Sequence, residues 1–443
     1  MRRKRRTRSI TRGITRSLVN PLSSGIAGVF GRGLSGLLSL YPGAAAGYSL
    51  RKIGSGPVVR LRRGIDNEEK DFAAGDLIDG GFLSDELCSD PDFLDSGEWT
   101  VGTGWTFGSG NASLVSVNGS NCFLTNIALA GLSLDGTNGR YFKITFTIDS
   151  MSDNTAVGMA VGTSTYREFD EFQITSTGTY TVIYDYEARG TPFSILCRFF
   201  ATSSAPNGST LQVSQLSVRE YQPSAAEQWA LEGLTSILTY SRQDDESAYA
   251  TTWYDQSGSG NDATQSTAAS QPLLILAGVT NTENGKAALS FDGVDDGLIF
   301  SGPISSSASD YFGTFVGAVS DGGYVIYGTP NTVVLGLNTE SGFWGGSAYG
   351  GDTWKSSTQQ LSTWSLVATD QAATFINGVD DLSGLTYSQQ DWGTVANQCS
   401  IMFRFNDANH CTGNLQEVIL YPSDQSSNRT GIEGNINDHY GIY

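Results

Sequence analysis

The sequence predicts an all-β protein made of two β-sandwiches, preceded by an extended basic N-terminal arm. Three observations predict this fold class. Only 16% of the 443 residues are charged, against about 25% in an average globular protein, and 54 are glycine. Short runs of alternating apolar and polar residues recur from residue 58 onward, separated by turn-forming Gly, Asn and Asp. The first 65 residues carry 14 Lys or Arg and no acidic residue.

The predicted arm spans residues 1–42. Its apolar part is interrupted by Pro21, Arg32 and many glycines, so we expect neither a secretion signal nor a membrane span. We expect the arm to anchor the protein on an assembly, with a disordered tail as the alternative. The predicted anchoring residues are Arg2, Arg3, Lys4, Arg5, Arg6, Arg8, Arg12 and Arg16.

From Asp66 onward the charge is strongly acidic, because all 45 Asp and Glu lie there with only 12 Lys and Arg. Such a body repels phosphate and is a poor nucleic-acid surface. Two histidines and the lack of a CxxC pair argue against a zinc site. Bridges from Cys88 to Cys197 or from Cys399 to Cys411 stay open, although buried free thiols are the commoner outcome.

The alternating run VVRLRR predicts that the first strand of a sheet starts near Val58. Residues 90–222 predict one continuous β segment, with runs such as YFKITFTID and LQVSQLSVREY between Gly- and Asn-rich turns at sandwich spacing. Residues 223–240 predict a connecting helix with Ser224 as N-cap and Glu227 in its first turn.

The β pattern resumes after this helix and continues almost to the C-terminus. Asn377 and Gly378 form a hairpin-turn signal within it. The segment SSNRTGIEGNINDHYG, at 426–441, predicts one short helix packed under the sandwich.

Two stretches carry a family resemblance, at 44–72 and at 251–298, the latter containing WYDQSGSGNDATQ. They resemble the concanavalin A-like domain of the α-L-arabinofuranosidase B catalytic family, a version of which recurs in phage tail and virion proteins. The closing residues 413–443 resemble the last strand and helix of laminin G-like sandwiches. The resemblance implies a discontinuous sandwich of residues 43–87 and 223–443. The intervening residues 88–222 then form an inserted jelly roll similar to carbohydrate-binding modules.

The same resemblance implies lost catalysis. Retaining hydrolysis of a furanoside requires two carboxyl groups about 5 Å apart. The family nucleophile corresponds here to Val333 or Val334, with Glu340 displaced into a turn, and the acid/base corresponds to Asn406, with Asp407 one residue on. We therefore expect no enzyme activity; an active glycoside hydrolase on arabinofuranosides is the alternative.

Glycan binding needs flat apolar rings and nearby carboxylate or amide groups. The predicted carbohydrate-binding residues are Trp344, Tyr349, Trp354, Trp392, Asn406 and Asp407, with Trp99 and Trp105 in the insert. Core packing is the alternative for each tryptophan. For Trp253, Tyr254 and Asp255 the favoured interpretation is that they brace the sheet. No cofactor is expected, although FDGVDDG at 291–297 has the oxygen ligands for Ca²⁺ if it is not a solvated turn.

Together these features predict a bacteriophage virion structural protein, as a fibre, spike or decoration subunit. Its arm would bind capsid or tail proteins, and its sandwiches would bind glycans of the host surface, in a homo-oligomer. The alternative is a secreted or surface carbohydrate-binding protein that belongs to no virion.

Overall fold

A computed structural model describes most of the chain after residue 35. The described ranges are 36–117, 122–126, 140–152, 157–163, 169–173, 176–185, 195–201, 206–232, 247–276, 278–300, 312–321, 325–328, 332–335, 337–338, 343–346, 355–360, 365–370, 373–383, 399–403 and 410–443.

The strands fall into three consecutive groups along the chain. The first group is β1 Ala46–Ser49, β2 Val59–Arg63, β3 Glu69–Phe72 and β4 Gly81–Phe82. The second group is β5 Trp99–Val101, β6 Trp105–Phe107, β7 Ala112–Val115, β8 Cys122–Asn126, β9 Tyr141–Met151, β10 Val157–Thr163, β11 Phe169–Gln173, β12 Gly178–Asp185, β13 Ile195–Ala201 and β14 Thr210–Gln222. The third group is β15 Ala248–Trp253, β16 Ala263–Thr264, β17 Leu273–Leu276, β18 Val279–Thr280, β19 Thr282–Glu283, β20 Lys286–Ala287, β21 Leu289–Asp292, β22 Leu298–Phe300, β23 Phe312–Asp321, β24 Ile326–Gly328, β25 Thr332–Leu335, β26 Leu337–Asn338, β27 Phe343–Gly346, β28 Lys355–Gln360, β29 Ser365–Asp370, β30 Ala373–Ile376, β31 Val379–Ser383, β32 Cys399–Ile401 and β33 Thr412–Tyr421.

Helices are few among these residues. The α-helices are α1 Leu37–Leu40, α2 Ala225–Glu232 and α3 Arg429–Tyr440, and short 3₁₀ turns lie at Ala74–Leu77, Ser96–Glu98 and Ala268–Ser270. The helix predicted over 223–240 begins with the predicted cap: Ser224 Oγ accepts the N–H of Glu227 at 3.1 Å, and Glu227 Oε2 accepts the N–H of Ser224 at 2.8 Å. Both predicted helices are confirmed where the structure describes them.

The larger sandwich has two antiparallel layers. In the first, β33 pairs with β1, β21 and β23, and the layer continues through β29, β30 and β31. The second runs β3, β2, β15, β16, β22, β32, β24, β25. Strand β17 pairs with both β15 and β21 and so links the layers. The predicted turn at Asn377 and Gly378, whose φ angles are 52° and 76°, joins β30 to β31.

The core of this sandwich lies between the two layers. Its largest side chains are fully buried and include Tyr48, Phe72, Trp253 and Phe291. A second apolar cluster covers the other side of β33, where Ile432, Ile436 and Tyr440 of α3 pack with Leu37 of α1 against Val316, Ile419 and Tyr421. Because both faces of β33 are covered, its last seven residues are all buried.

The first strand of the sheet begins earlier than predicted. Strand β1 lies at Ala46–Ser49, ahead of the strand expected near Val58, and it pairs with β33 near the opposite end of the chain. All four of its residues are buried. A strand covered on both faces carries no apolar–polar alternation, so the pattern used to find strands could not reveal it.

The inserted segment folds into two five-membered antiparallel sheets. One runs β11, β10, β13, β8, β5, and the other runs β12, β9, β14, β7, β6, with β4 pairing along β14. Between them lies a separate apolar cluster that includes Phe93, Trp99, Phe142, Phe146 and Phe199. The predicted all-β class with two sandwiches is therefore confirmed. The domain boundaries at 42/43, 87/88 and 222/223 stay predictions.

The two sandwiches meet at the start of α2. Glu227 is buried, and its carboxylate accepts hydrogen bonds from Tyr221 Oη at 3.0 Å on β14 and from the N–H of Thr280 at 2.9 Å on β18. Tyr221 also packs with Ile183 and Leu231 in a small apolar cluster. All five cysteines are described, none is joined in a disulfide, and all but Cys399 are buried.

Candidate functional site

Most of the sequence-predicted site residues lie outside the described residues. These are Tyr349, Trp354, Trp392, Asn406 and Asp407, together with the anchoring residues Arg2, Arg3, Lys4, Arg5, Arg6, Arg8, Arg12 and Arg16. Trp344 lies on β27, where it pairs with Leu337. The roles proposed for these residues stay predictions, as does the catalytic comparison at Glu340.

Trp99 and Trp105 are placed in the core of the insert, with 4% and 5% of their surface exposed. Trp99 stacks on Phe93 at 4.6 Å between ring centroids and donates its Nε1 hydrogen to Asp90 Oδ2 at 3.0 Å. Neither ring presents a face to solvent. The structure therefore corrects the expectation that they form a sugar platform, and the core-packing alternative describes them.

The WYDQSG stretch braces the larger sandwich. Asp255 accepts the N–H of Gly47 at 2.9 Å, the N–H and hydroxyl of Ser257 at 2.9 and 2.8 Å, and the N–H of Asn261 at 3.1 Å. Four donors around one carboxylate fasten β1 to the loop that follows β15. The bracing interpretation is confirmed by these contacts, which leave Asp255 no role at an exposed site.

Gln256 completes this brace with its side-chain amide. Its Oε1 accepts the N–H groups of Ile53 and Gly54 at 2.9 and 3.2 Å, and its Nε2 donates to the carbonyl oxygens of Ser49 and Arg51 at 2.8 and 3.1 Å. The chains approach so closely that a Cβ on Gly54 would lie 1.9 Å from the carbonyl oxygen of Gln256. Only glycine fits there.

The FDGVDDG turn brings three carboxylates together. Oxygens of Asp292, Asp295 and Asp296 lie within 4.8 Å of one another. Asp292 Oδ1 accepts the N–H of Val294 at 2.8 Å, and Asp296 Oδ2 accepts the N–H of Asp292 at 3.0 Å. Burial, reinforced by the charges of Asp292 and Asp295, raises the pKa of Asp296 to about 7. The turn thus satisfies its own carboxylates in part, and its donor set also suits a hard cation; Ca²⁺ binding stays a prediction.

The described residues on either side of segment 404–409, which contains the predicted Asn406 and Asp407, lie beside this acidic turn. Phe403 and His410, which flank that segment, form an antiparallel bridge, and their rings stack with centroids 5.2 Å apart. His410 Nδ1 lies 3.0 Å from the carbonyl oxygen of Asp296, which can only accept, so this nitrogen carries a hydrogen. Phe403 and His410 are therefore held together beside the acidic turn.

A second candidate surface lies on the outer face of the insert. Three neighbouring strands, β12, β9 and β14, carry hydroxyl and amide side chains at facing positions. We call this set the hydroxyl ladder; it consists of Thr145, Thr147, Thr179, Thr181, Gln215 and Ser217. Thr145 and Thr181 lie 3.2 Å apart at their hydroxyl oxygens, and Thr147 and Thr179 lie 3.0 Å apart.

The ladder follows from strand alternation. On β9 the inward residues Ile144, Phe146 and Ile148 are buried in the core, so the residues between them face outward. Each hydroxyl has one hydrogen and two lone pairs, so pairing within the ladder leaves capacity to bind a further polar group. The ladder side chains are neutral donors and acceptors, and Ser217 donates its hydroxyl hydrogen to the carboxylate of Glu86 at 2.5 Å.

An exposed aromatic ring lies beyond the end of the ladder, opposite a residue of β14 four positions after Ser217. Phe82 on β4 is 51% exposed and lies opposite Tyr221 on β14. Arg219, also on β14, places its guanidinium carbon 4.9 Å from the centre of the Phe82 ring. Sequence analysis missed Phe82, because its segment IDGGFLSDE has no strand-like alternation; two glycines before an aromatic residue were the only local signal.

Comparisons with known proteins yielded structural similarities only. No family model matches the sequence, and no curated protein matches it. The enzymatically active domain of bacteriophage CBA120 tailspike protein 4 is similar at 15% identity and a TM-score of 0.24, over 30% of this chain and 21% of that one. A point mutant of the carbohydrate-binding module CBM29-2 is similar at 18% identity and a TM-score of 0.22, over 31% of this chain and 83% of that one.

Trypanosoma rangeli sialidase in complex with the inhibitor DANA is similar at 12% identity and a TM-score of 0.29, over 74% of this chain and 62% of that one. The chain thus spans about a fifth of the tailspike domain and less than two thirds of the sialidase. TM-scores of this size establish neither a shared function nor a shared site. Within the described residues, no helix is long and apolar enough to cross a membrane.

Proposed function

We propose that the protein is a glycan-binding structural subunit of a bacteriophage particle, as a fibre, spike or decoration protein. The single observation that supports glycan binding most is the exposed Phe82 ring beside the hydroxyl ladder. A sugar presents an apolar C–H face and a rim of hydroxyl groups. The Phe82 ring suits the apolar C–H face of the sugar, and the hydroxyl ladder suits its hydroxyl groups.

The particle role is supported by the uneven charge of the chain. The arm, residues 1–42, carries nine basic residues and no acid, and the chain after it carries 45 acidic and 17 basic residues. The arm suits an anionic docking surface on a capsid or tail protein, and the acidic remainder of the chain repels polyanions. A homo-oligomeric assembly and a virion location belong to this same proposal, as do host-surface glycans as ligands.

Glycan binding is tested on the full chain with an oligosaccharide panel and isothermal titration calorimetry. We expect Phe82→Ala to lower the affinity for a bound glycan about fivefold, because a ring contact of about 1 kcal/mol is lost. The matched control is Leu94→Ala, since Leu94 is 70% exposed in the same insert. Unchanged affinity in Phe82→Ala, or equal loss in both variants, would refute the assignment of this surface.

The anchoring role is tested by deleting residues 1–35, which removes every predicted anchoring residue and keeps α1, whose Leu37 is buried in one cluster with α3. We expect the shortened chain to fold with unchanged thermal unfolding and glycan affinity, and to be absent from purified particles. Normal incorporation would refute the anchoring role without touching glycan binding.

A second candidate function is a carbohydrate-binding protein that belongs to no virion. The sandwich surface fits this second function equally well, because the hydroxyl ladder and Phe82 do not depend on the arm. Hydrolysis of arabinofuranosides is the third. It requires turnover of a synthetic arabinofuranoside that disappears in Asp407→Asn, and absence of turnover would support a degenerate glycosidase.

A further inference from the structure

Two positive charges stand side by side on the outer face of the insert. Lys143 on β9 and Arg219 on β14 are direct cross-strand partners. The chain after residue 65 has only 12 basic residues against 45 acidic ones, so such a pairing stands out. Like charges at directly opposite positions destabilise a sheet.

Neighbouring aromatic rings hold the two cations in place, and Arg219 also forms an ion pair with Glu86. Lys143 Nζ lies 4.6 Å from the centre of the Tyr221 ring, and Arg219 lies over Phe82 at 4.9 Å. In this ion pair Glu86 Oε2 lies 3.6 Å from Arg219 Nε, and this Nε has no hydrogen-bond partner among the described residues. Ring contacts orient a cation but leave its charge available to an anion.

Glu86 is already engaged elsewhere. Its Oε1 accepts the N–H groups of Val218 at 2.7 Å and Cys88 at 3.0 Å, and its Oε2 accepts the hydroxyl of Ser217 at 2.5 Å. A carboxylate shared among three such donors screens the guanidinium only in part. The local excess of positive charge therefore persists within an acidic body.

The surroundings of the pair are those of a sugar site. Lys143 lies two residues before Thr145 on β9, and Arg219 lies two residues after Ser217 on β14. Side chains two positions apart on a strand share a face, so all four side chains lie on one face of the sheet. Phe82 adds an exposed ring on the far side of Arg219. We call Phe82, Lys143 and Arg219 the cationic corner.

We propose that the cationic corner binds a sugar that carries a carboxylate, so that the ligand is an acidic glycan. The carboxylate contacts the two cations, the C–H face of the ring lies on Phe82, and sugar hydroxyls bind the ladder. This inference rests on the proposed glycan binding and names its ligand class. Charge complementarity selects the ligand: the corner attracts an anion that the rest of the body repels.

The test compares acidic and neutral oligosaccharides on the full chain. The probes are galacturonate, glucuronate and sialic acid oligosaccharides, beside neutral cello- and xylo-oligosaccharides, measured by calorimetry at low salt and again at about tenfold higher salt, where the screening length is shorter. We expect one of the acidic series to bind at least about tenfold more tightly than the neutral ones at low salt, which corresponds to about 1.4 kcal/mol. Added salt should weaken it, since exposed charges are screened.

Charge-removing variants locate the effect. Lys143→Gln and Arg219→Gln should each lower the affinity for the acidic ligand about tenfold, which corresponds to about 1.4 kcal/mol. The matched control is Arg198→Gln, because Arg198 also lies over a ring, that of Phe123 at 4.7 Å, but on the other sheet of the insert. Its affinity should be unchanged. Thermal unfolding shows whether each variant is folded.

The outcomes separate the two proposals. If neutral and acidic glycans bind alike and neither charge variant changes affinity, the acidic-glycan inference is overturned and glycan binding stands. If no glycan of either class binds, both proposals fall. The salt dependence of the unmutated chain is a second test, because a salt-independent affinity for the acidic series would also overturn the inference without any variant.

Discussion

The brace built on Asp255 makes the most direct prediction about stability. Asp255→Ala removes the acceptor of four hydrogen bonds from Gly47, Ser257 and Asn261. The Gly47 N–H is buried, so losing its partner costs about 1–3 kcal/mol, whereas the other donors are partly exposed and bind water instead, at about 0.5 kcal/mol each. We expect a loss of about 3 kcal/mol in local stability.

The assay is hydrogen exchange of the peptide covering residues 44–54, read by mass spectrometry. A loss of about 3 kcal/mol corresponds to about a hundredfold faster exchange of the Gly47 amide. Asp255→Asn keeps one acceptor oxygen, so its Gly47 exchange rate should lie between those of the unmutated chain and Asp255→Ala. The matched control is Asp71→Asn: Asp71 also accepts three hydrogen bonds, from Arg60 and Tyr254, but it is exposed, and we expect at most about 1 kcal/mol. Less than about tenfold acceleration in Asp255→Ala would refute the reasoning.

Four further predictions concern the buried polar and aromatic groups. Burial raises the folded pKa of Asp296 to about 7, so its contribution to the free energy of unfolding should fall as pH rises from about 4 to 7. The fall should be at most about 1.4 kcal/mol per pH unit, and urea titrations of Asp296→Asn should lack this slope. His439 has the opposite sign: burial, aided by the charge of Arg51, lowers its pKa to about 4, so stability should be lost as pH falls from 6.5 to 4, and His439→Gln should keep it. Glu417→Gln leaves Arg51 without its bidentate partner at 2.7 and 3.0 Å and should lower the free energy of unfolding in urea by about 3–5 kcal/mol. The double variant Arg51→Met with Glu417→Leu should recover most of this loss. No recovery would mean that the ion pair itself stabilises the fold. Trp99→Ala should cost about 3–5 kcal/mol yet leave glycan affinity unchanged, and a selective loss of affinity would restore its predicted binding role.

The site was predicted from the sequence only in part. Exposed tryptophans in loops are an obvious signal for sugar binding, but composition does not report burial, and Trp99 and Trp105 proved to be core residues. Phe82 carries no periodic signal, because strand β4 has only two residues. The pairing of Lys143 with Arg219 joins residues far apart in the chain, and strand register alone brings them together.

Local patterns by themselves determined the all-β class, the capped helix at Ser224, the Asn377-Gly378 turn and the C-terminal helix. Each depends on neighbours within a few residues, where alternation, side-chain capping and positive φ angles act. The charge division of the chain is likewise a property of the sequence alone.

Tertiary structure decided what depends on distant contacts. Strand β1 pairs with β33 and is hydrogen-bonded by Asp255 and, through the following loop, by Gln256. These contacts produce no periodic pattern in the sequence. A strand buried on both faces does not alternate apolar and polar residues, and a carboxylate that binds backbone amides resembles ordinary loop sequence. Burial likewise turned Asp296 from an ordinary acid into one that titrates near neutrality. Solvent exclusion is set by the whole packed chain, and for that reason no local pattern encodes it.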